Sequence, residues 1–154
     1  MTDSSPTHAI SPIGYVRRGA DGVLLEILPA YRPALLNLGH FSHVIVLWWL
    51  SEHDNPESRA RLQTAPAYTP EILSGVFALR APFRPNPIAL TTCKILSVDE
   101  GAGIVRVASI DAFDGSEIID LKAYFPASDR VRAAHIPPWL KDWPEWMPED
   151  GLGL

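Results

Sequence analysis

A proline-rich stretch constrains the fold more than any other part of the sequence. Residues 75–90 read GVFALRAPFRPNPIAL, with three prolines within six positions. Proline fixes its own φ, lacks an amide donor and pushes the preceding residue toward extended geometry. The segment is therefore predicted to be a stiff, non-helical loop between two apolar strands. A stiff loop loses little entropy when a ligand binds, so it is a candidate binding site.

Short apolar segments separated by turn signals fill most of the chain. Strands are predicted at Ile10–Arg17, Val23–Leu28, Val44–Leu50, Val76–Leu79, Ile88–Val98, Ile104–Ile110 and Ile118–Tyr124. The run Val44–Leu50 is apolar throughout, which indicates a strand covered on both faces. Helical spacing is seen at Pro29–Leu38, with Gly39 as a stop signal. We therefore expect a mainly β, single-domain barrel of about six or seven strands with one or two short helices.

Composition limits the classes of protein that fit. The chain has 154 residues, of which 47% are hydrophobic and 20% charged, as in a soluble globular domain. It has no apolar run of membrane length and no secretory pattern at its start, and its single cysteine favours a reducing, cytoplasmic setting. The net charge of −5 argues mildly against binding nucleic acid by phosphate neutralisation alone. A local basic patch of arginines would still permit it.

The chain divides by composition into three parts. Residues 1–9 are predicted to be a flexible tail and residues 10–130 the barrel domain. Residues 131–154 are rich in Pro and Trp and are expected to pack on the barrel or on a partner subunit. The tryptophans of this segment, at positions 139, 143 and 146, have the spacing of one helical face, which Pro144 interrupts. Core or interface anchors are a more common use of such residues than platforms for stacked bases.

Two groups of charged residues are candidates for binding. Arg80 and Arg84 flank the start of the proline stretch, and guanidinium groups on a stiff loop suit a carboxylate or a phosphate. The alternative is that one of them covers apolar surface or pairs with a surface acid. A second group of carboxylates surrounds the turn Asp114–Gly115, where they suit ribose hydroxyls or an ammonium group. The alternative is that the aspartates only cap their own turn.

Other reactive residue types indicate less. The histidines at positions 40, 43 and 53 match no standard metal-ligand spacing, so no metal site is expected, and His43 is interpreted as a packed, hydrogen-bonded side chain. Cys93 lies in the middle of a predicted strand and is interpreted as a small core residue. Glu52 and His53 follow the long apolar strand, where it runs into a polar loop.

Three stretches, in the same order along the chain, resemble the TsaA-like domain of the TrmO (YaeB-like) methyltransferases. They are FSHVIVLW at 41–48, GVFALRAPFRPNPIAL at 75–90 and DAFDGSEIIDLKAY at 111–124, and the likeness covers roughly residues 10–130. The resemblance implies a β-barrel that binds S-adenosyl-L-methionine, usually as a homodimer with the cofactor near the subunit interface. It also implies methylation of N6 of threonylcarbamoyladenosine in tRNA.

The resemblance also implies a set of site residues. The cofactor would be bound by Ser51, Glu52, His53, Arg80, Leu90, Asp111, Phe113, Asp114, Gly115, Ser116 and Glu117. Arg84 and Asn86 would contact the substrate, and the resemblance assigns no catalytic residue. The sequence departs from the family pattern at Leu79, Ala81 and Ala89, and it lacks the Arg-Gln pair of longer members after the first strand. These departures weaken the tRNA expectation more than the cofactor expectation.

Two other functions therefore stay open at this point. The cofactor is retained in both of them. In one the methyl acceptor is a small molecule, and in the other the chain is a non-catalytic module that senses the cofactor.

Overall fold

The computed structural model describes residues 5–149 of the chain. Eight strands are present within these residues: β1 (Gly14–Gly19), β2 (Gly22–Ile27), β3 (His43–Trp49), β4 (Gln63–Thr64), β5 (Ser74–Gly75), β6 (Ile88–Asp99), β7 (Ile104–Val107) and β8 (Glu117–Ala123). Two short helices, α1 (Pro56–Ala60) and α2 (Pro126–Asp129), follow β3 and β8.

Six of these strands close into an antiparallel barrel in the order β1-β2-β7-β6-β3-β8, and β8 pairs again with β1. The hairpins β1–β2 and β6–β7 form at the predicted turn signals. β4 and β5 form a separate two-stranded ribbon beside the barrel. The predicted mainly β barrel with two short helices is confirmed.

Each barrel strand contributes alternate apolar side chains to one core. The fully or nearly fully buried members include Val16, Leu25, Val44, Val46, Trp48, Cys93, Val105, Val107 and Ile118. In β3 these buried residues alternate with residues of intermediate exposure, so one face of the strand is fully covered and the other is largely covered. An antiparallel barrel faces its core on one side only, even where every residue of the strand is apolar. The core interpretation of Cys93 is confirmed.

Several local predictions were wrong for reasons of backbone geometry. The segment Val76–Ala78 is a 3₁₀ turn and not a strand, because its apolar run is too short to select a conformation by itself. Pro29–Leu35 and Leu38–His40 are two 3₁₀ turns instead of one helix, since Asn37 between them is left-handed with a φ of 69°. In the described part of the C-terminal segment, up to residue 149, the tryptophans share no helix, and Pro138–Leu140 forms a 3₁₀ turn.

The C-terminal segment has two aromatic contacts within the described residues. Trp143 meets the ring of Tyr68 edge-on at 5.2 Å between ring centroids. The guanidinium of Arg130 lies over the Trp146 ring at 5.1 Å. Trp139, Trp146 and Met147 remain exposed.

Gly103 should be essential to the β6–β7 connection. It has a φ of 74°, and an added Cβ would lie 2.6 Å from Nε of Arg32 and 2.7 Å from the carbonyl oxygen of Ile27. Left-handed strain and this overlap together should lower the free energy of unfolding of Gly103→Ala by at least about 2 kcal/mol. Chemical denaturation measures the change. Gly19→Ala is the control, since a Cβ there meets nothing within 4 Å. Equal stability of the two variants would contradict the strain argument.

Candidate functional site

A cleft of about 620 Å³ opens at one end of the barrel. Its walls are the end of β3 with the turn after it (48–53), the proline loop with the start of β6 (80–90), and the segment before β8 (111–116). Because β3 is antiparallel to both β6 and β8, the end of β3 lies beside the beginnings of the other two strands. The barrel thus brings together three segments that are far apart in sequence. The volume is that of a site for a small organic ligand.

The cleft gathers most of the residues predicted to bind the cofactor. Ten of those eleven residues line it, namely Ser51, Glu52, His53, Arg80, Leu90, Asp111, Phe113, Asp114, Gly115 and Ser116. The eleventh, Glu117, starts β8, and its Oε2 accepts a hydrogen bond of 2.6 Å from Oγ of Ser51. Arg80 and Asp114 therefore face one cavity.

The two arginines of the proline loop differ in what they contact. Nη1 of Arg84 donates to the carbonyl oxygens of Leu79 at 3.3 Å and Ala81 at 3.0 Å, so this side chain braces its own loop while it lines the cleft. Arg80 is exposed, and within residues 5–149 no hydrogen bond or ion pair occupies its guanidinium. Arg80 is thus available to an anionic group. Asn86 is exposed on the same loop, outside the set of side chains that line the cleft.

A cluster that the sequence did not reveal joins the proline loop to the turn after β3. Asp54 accepts hydrogen bonds from Nε of Arg59 at 2.8 Å and from Nε1 of Trp49 at 3.1 Å. Nη1 of Arg59 also donates to the carbonyl oxygen of Pro85 at 2.9 Å. The bond from Arg59, followed by that from Trp49, lowers the pKa of Asp54 below 3.8. A lowered pKa stabilises the ionised form, so this contribution is complete above the ordinary aspartate pKa and is lost as the pH falls through the lowered value.

A hydrogen-bonded chain fixes the side chain of Asp111, which lines the cleft. Nε1 of Trp48 donates to Oγ1 of Thr91 at 3.0 Å, and Oγ1 of Thr91 donates its proton to Oδ1 of Asp111 at 2.5 Å. Since Thr91 has a single hydroxyl proton, the bond from Trp48 directs that proton toward Asp111.

The thiol of Cys93 lies in the same strand as Thr91. Burial, with a smaller effect from the charge of Asp111, raises the pKa of Cys93 to about 12.

The acidic turn is held by β1. Oδ1 of Asp114 accepts from the backbone amide of Arg18 at 2.8 Å, and the amide of Gly115 donates to the carbonyl oxygen of Val16 at 2.7 Å. Gly115 has a φ of 81°, which a residue with a side chain rarely adopts. The carboxylate of Asp114 thus bonds to β1 and not to its own turn, and Asp114 also lines the cleft. Its role in binding stays a prediction.

Three of the exposed side chains that line the cleft are apolar. Phe113 is 67% exposed, and Leu90 and Ile88 are also exposed along its rim. Large apolar side chains at a cleft mouth suit the flat faces of an aromatic ring or a second protein surface.

The histidines are dispersed. His43 lies 2.8 Å from Oγ of Ser42 through its Nδ1 and packs near the ring of Tyr124, which confirms its interpretation as a packed, hydrogen-bonded side chain. His53 lines the cleft and meets the ring of Phe83 edge-on. In the described part of the chain, no three His, Cys, Asp or Glu side chains gather as a metal site requires.

No helix between residues 5 and 149 has the length and apolarity of a bilayer span.

Comparison with known sequences assigns the family. Residues 12–130 match the family model of the tRNA-methyltransferase O N-terminal domain. A protein of Pyrococcus horikoshii, named as a probable S-adenosyl-L-methionine-binding protein, is 39% identical over 116 residues, which are 75% of this chain and 81% of that protein. An S-adenosyl-L-methionine-binding protein of Archaeoglobus fulgidus is 37% identical over 107 residues, 70% of this chain and 72% of that one. The chain belongs to the tRNA-methyltransferase O N-terminal domain family, and the resemblance seen in the sequence is confirmed.

Solved structures agree with this assignment. The crystal structure of TrmO from Pseudomonas aeruginosa superimposes with a TM-score of 0.68 at 28% identity and covers 88% of this chain. The match spans 63% of the TrmO chain, so this protein corresponds to less than two thirds of that relative.

Thr91→Val tests the hydrogen-bonded chain below the cleft. The change keeps the shape of the side chain but leaves the indole N–H of buried Trp48 without its acceptor, and it should lower the free energy of unfolding by about 1–2 kcal/mol. Thr92→Val on the same strand is the matched control, because the described residues include no side-chain hydrogen bond of Thr92. If both variants unfold at the same denaturant concentration, the chain has no structural role.

Proposed function

We propose that the protein is an S-adenosyl-L-methionine-dependent methyltransferase that binds its cofactor in the cleft and methylates N6 of threonylcarbamoyladenosine in tRNA. One observation carries the proposal: Arg80, the acidic turn and the polar end of β3 face a single cleft in a chain of this family. The relatives named for binding this cofactor, and the structural likeness to TrmO, support it.

The side chains of the cleft suit each part of the cofactor. The free guanidinium of Arg80 can pair with a carboxylate through two hydrogen bonds. The carboxylates of Asp111 and Asp114 can accept hydrogen bonds from ribose hydroxyls or from an ammonium group, as acidic residues do in nucleotide sites. Phe113 and Leu90 offer apolar surface to an adenine ring. The guanidinium, the carboxylates and the apolar side chains of the cleft together therefore fit a nucleoside that carries both a carboxylate and positively charged groups.

The bound cofactor would supply a methyl group on a positively charged sulfur, which is already reactive toward a nitrogen nucleophile. The protein then needs to align the acceptor with the methyl group and to exclude water. Glu52, His53 and Asp111 line the cleft, and each can accept the proton that the acceptor nitrogen gives up.

The acceptor is tested directly with tRNA. The purified protein, incubated with cofactor labelled in its methyl group, should label tRNA that contains threonylcarbamoyladenosine and should leave the unmodified transcript unlabelled. Mass spectrometry of the nucleosides should place the added methyl on N6. Absence of label at full cofactor occupancy would contradict the tRNA proposal and leave the cofactor proposal standing.

A small-molecule acceptor is the second candidate. The net charge of −5 favours it, because a polyanion such as tRNA is repelled by an acidic protein unless a local basic patch overcomes the repulsion. Demethylated cofactor produced with small acceptors and not with tRNA would support this candidate. Binding without any demethylated product would instead indicate a cofactor-sensing module.

Arg80→Ala tests the cofactor site. If the guanidinium forms a charged hydrogen bond with the cofactor, its loss should weaken cofactor binding by at least about 1.5 kcal/mol in calorimetry. Arg106→Ala is the control, since Arg106 lies in β7 and does not line the cleft. Unchanged affinity in folded Arg80→Ala would remove this residue from the site.

We also propose that the protein acts in the cytoplasm as a homodimer with the cleft near the subunit interface. The exposed apolar rim of the cleft, which includes Phe113, and the exposed tryptophans of the C-terminal segment support a partner surface. Light scattering should therefore give twice the chain mass, and Phe113→Asp should shift the equilibrium toward the monomer. A monomer at all concentrations, with cofactor bound, would contradict the dimer.

A further inference from the structure

Arg18, at the end of β1, reaches across to the segment that carries the acidic wall of the cleft. Its Nε donates to the carbonyl oxygen of Ala112 at 2.8 Å, and its Nη2 donates to the carbonyl oxygen of Ile110. Its backbone amide donates to Oδ1 of Asp114 at 2.8 Å. Arg18 thus donates hydrogen bonds to three oxygen atoms within residues 110–114.

The segment needs these donors because it lies outside the barrel ladder. β7 ends at Val107 and β8 begins at Glu117. Ala108 still bonds to β6, and Gly115 and Ser116 bond to β1, but within the described residues the stretch 109–114 forms no backbone–backbone hydrogen bond to a strand. The side chains of Ile110 and Ala112 are buried in the core, while Asp111 and Phe113 between and after them line the cleft. The carbonyl groups of Ile110 and Ala112 would therefore lack a protein donor without Arg18. The planar guanidinium, with several N–H groups in a fixed geometry, donates to both of them.

We infer that Arg18 is a positioning residue that holds the 110–114 segment in its cofactor-binding conformation. It does not line the cleft, so it acts through Asp111, Phe113 and Asp114. This inference rests on the proposed function, since it assigns the segment to the cofactor site. The inference adds Arg18, at the end of β1, to the residues on which cofactor binding depends. The sequence pattern around Arg18 indicates no binding role.

The expected effect follows from the population of the binding conformation. Without the two bonds from the guanidinium, the segment samples other conformations, and the apparent dissociation constant rises as the inverse of the fraction that remains in the binding conformation. Two lost hydrogen bonds to carbonyl groups predict an affinity about tenfold weaker. Saturating cofactor restores the conformation, so kcat should stay within about twofold while KM for the cofactor rises.

Arg18→Met, Arg18→Lys and the control Arg17→Met form a matched set. Arg17 is the adjacent residue of the same strand, and its side chain pairs with Glu26 on the surface at 3.4 Å, away from the acidic segment. Calorimetry with S-adenosyl-L-methionine measures affinity for each variant. Amide hydrogen exchange of residues 110–116, compared with that of β3, measures the order of the segment without any cofactor.

We expect faster exchange at 110–116 and about tenfold weaker binding in Arg18→Met, with wild-type values in Arg17→Met. Arg18→Lys should be intermediate, because an ammonium group cannot span two alternate carbonyls. Wild-type affinity and exchange in folded Arg18→Met, or full rescue by lysine, would overturn the inference. If Arg18→Met does not fold, the affinity and the amide exchange of Arg18→Lys decide whether the inference holds. A wild-type protein that binds no cofactor refutes the proposed function, whereas the exchange data still test the role of Arg18.

Discussion

The closure of the barrel between β1 and β8 is the interaction on which the rest of the structure depends. The ladder there pairs only Gly14 with Ile118 and Tyr15 with Glu117. Backbone bonds between Val16 and the Ser116 region then continue the contact past the start of β8. Closure removes the exposed edges that an open sheet of these strands would have. The same contact sets the position of the acidic turn, so the barrel cannot close without also building one wall of the cleft.

The other two walls are fixed by different means. The proline loop has little backbone freedom, and Arg84 and Arg59 bind its carbonyl oxygens from inside and from the α1 side. The end of β3 is held by its pairing with β6. Hydrogen bonds from Trp48 to Thr91 and from Thr91 to Asp111 connect it to the segment before β8. A cleft whose three walls are each braced, and are joined to one another by hydrogen bonds, is largely formed before a ligand arrives, which reduces the entropic cost of binding.

The sequence predicts the barrel because alternation and turn signals are local properties of each strand. It also predicts the neighbourhood of the cleft, since the resemblance points to three segments that the fold brings together. It fails at Val76–Ala78 and at Asn37, where a few residues near a proline or a left-handed position decide between a strand, an α-helix and a 3₁₀ turn. Arg18 carries no local signal, because its partners lie more than 90 positions away.

The surroundings of Cys93 have a practical consequence. The thiolate is the nucleophile that attacks thiol-directed reagents, and a buried thiol with a pKa of about 12 is almost entirely protonated at neutral pH. Since this is the only cysteine of the chain, the native protein should be inert toward maleimides and mild oxidants. A cysteine introduced on the rim of the cleft would then be the single reactive thiol, and a fluorophore or spin label could be attached there without first removing the natural one.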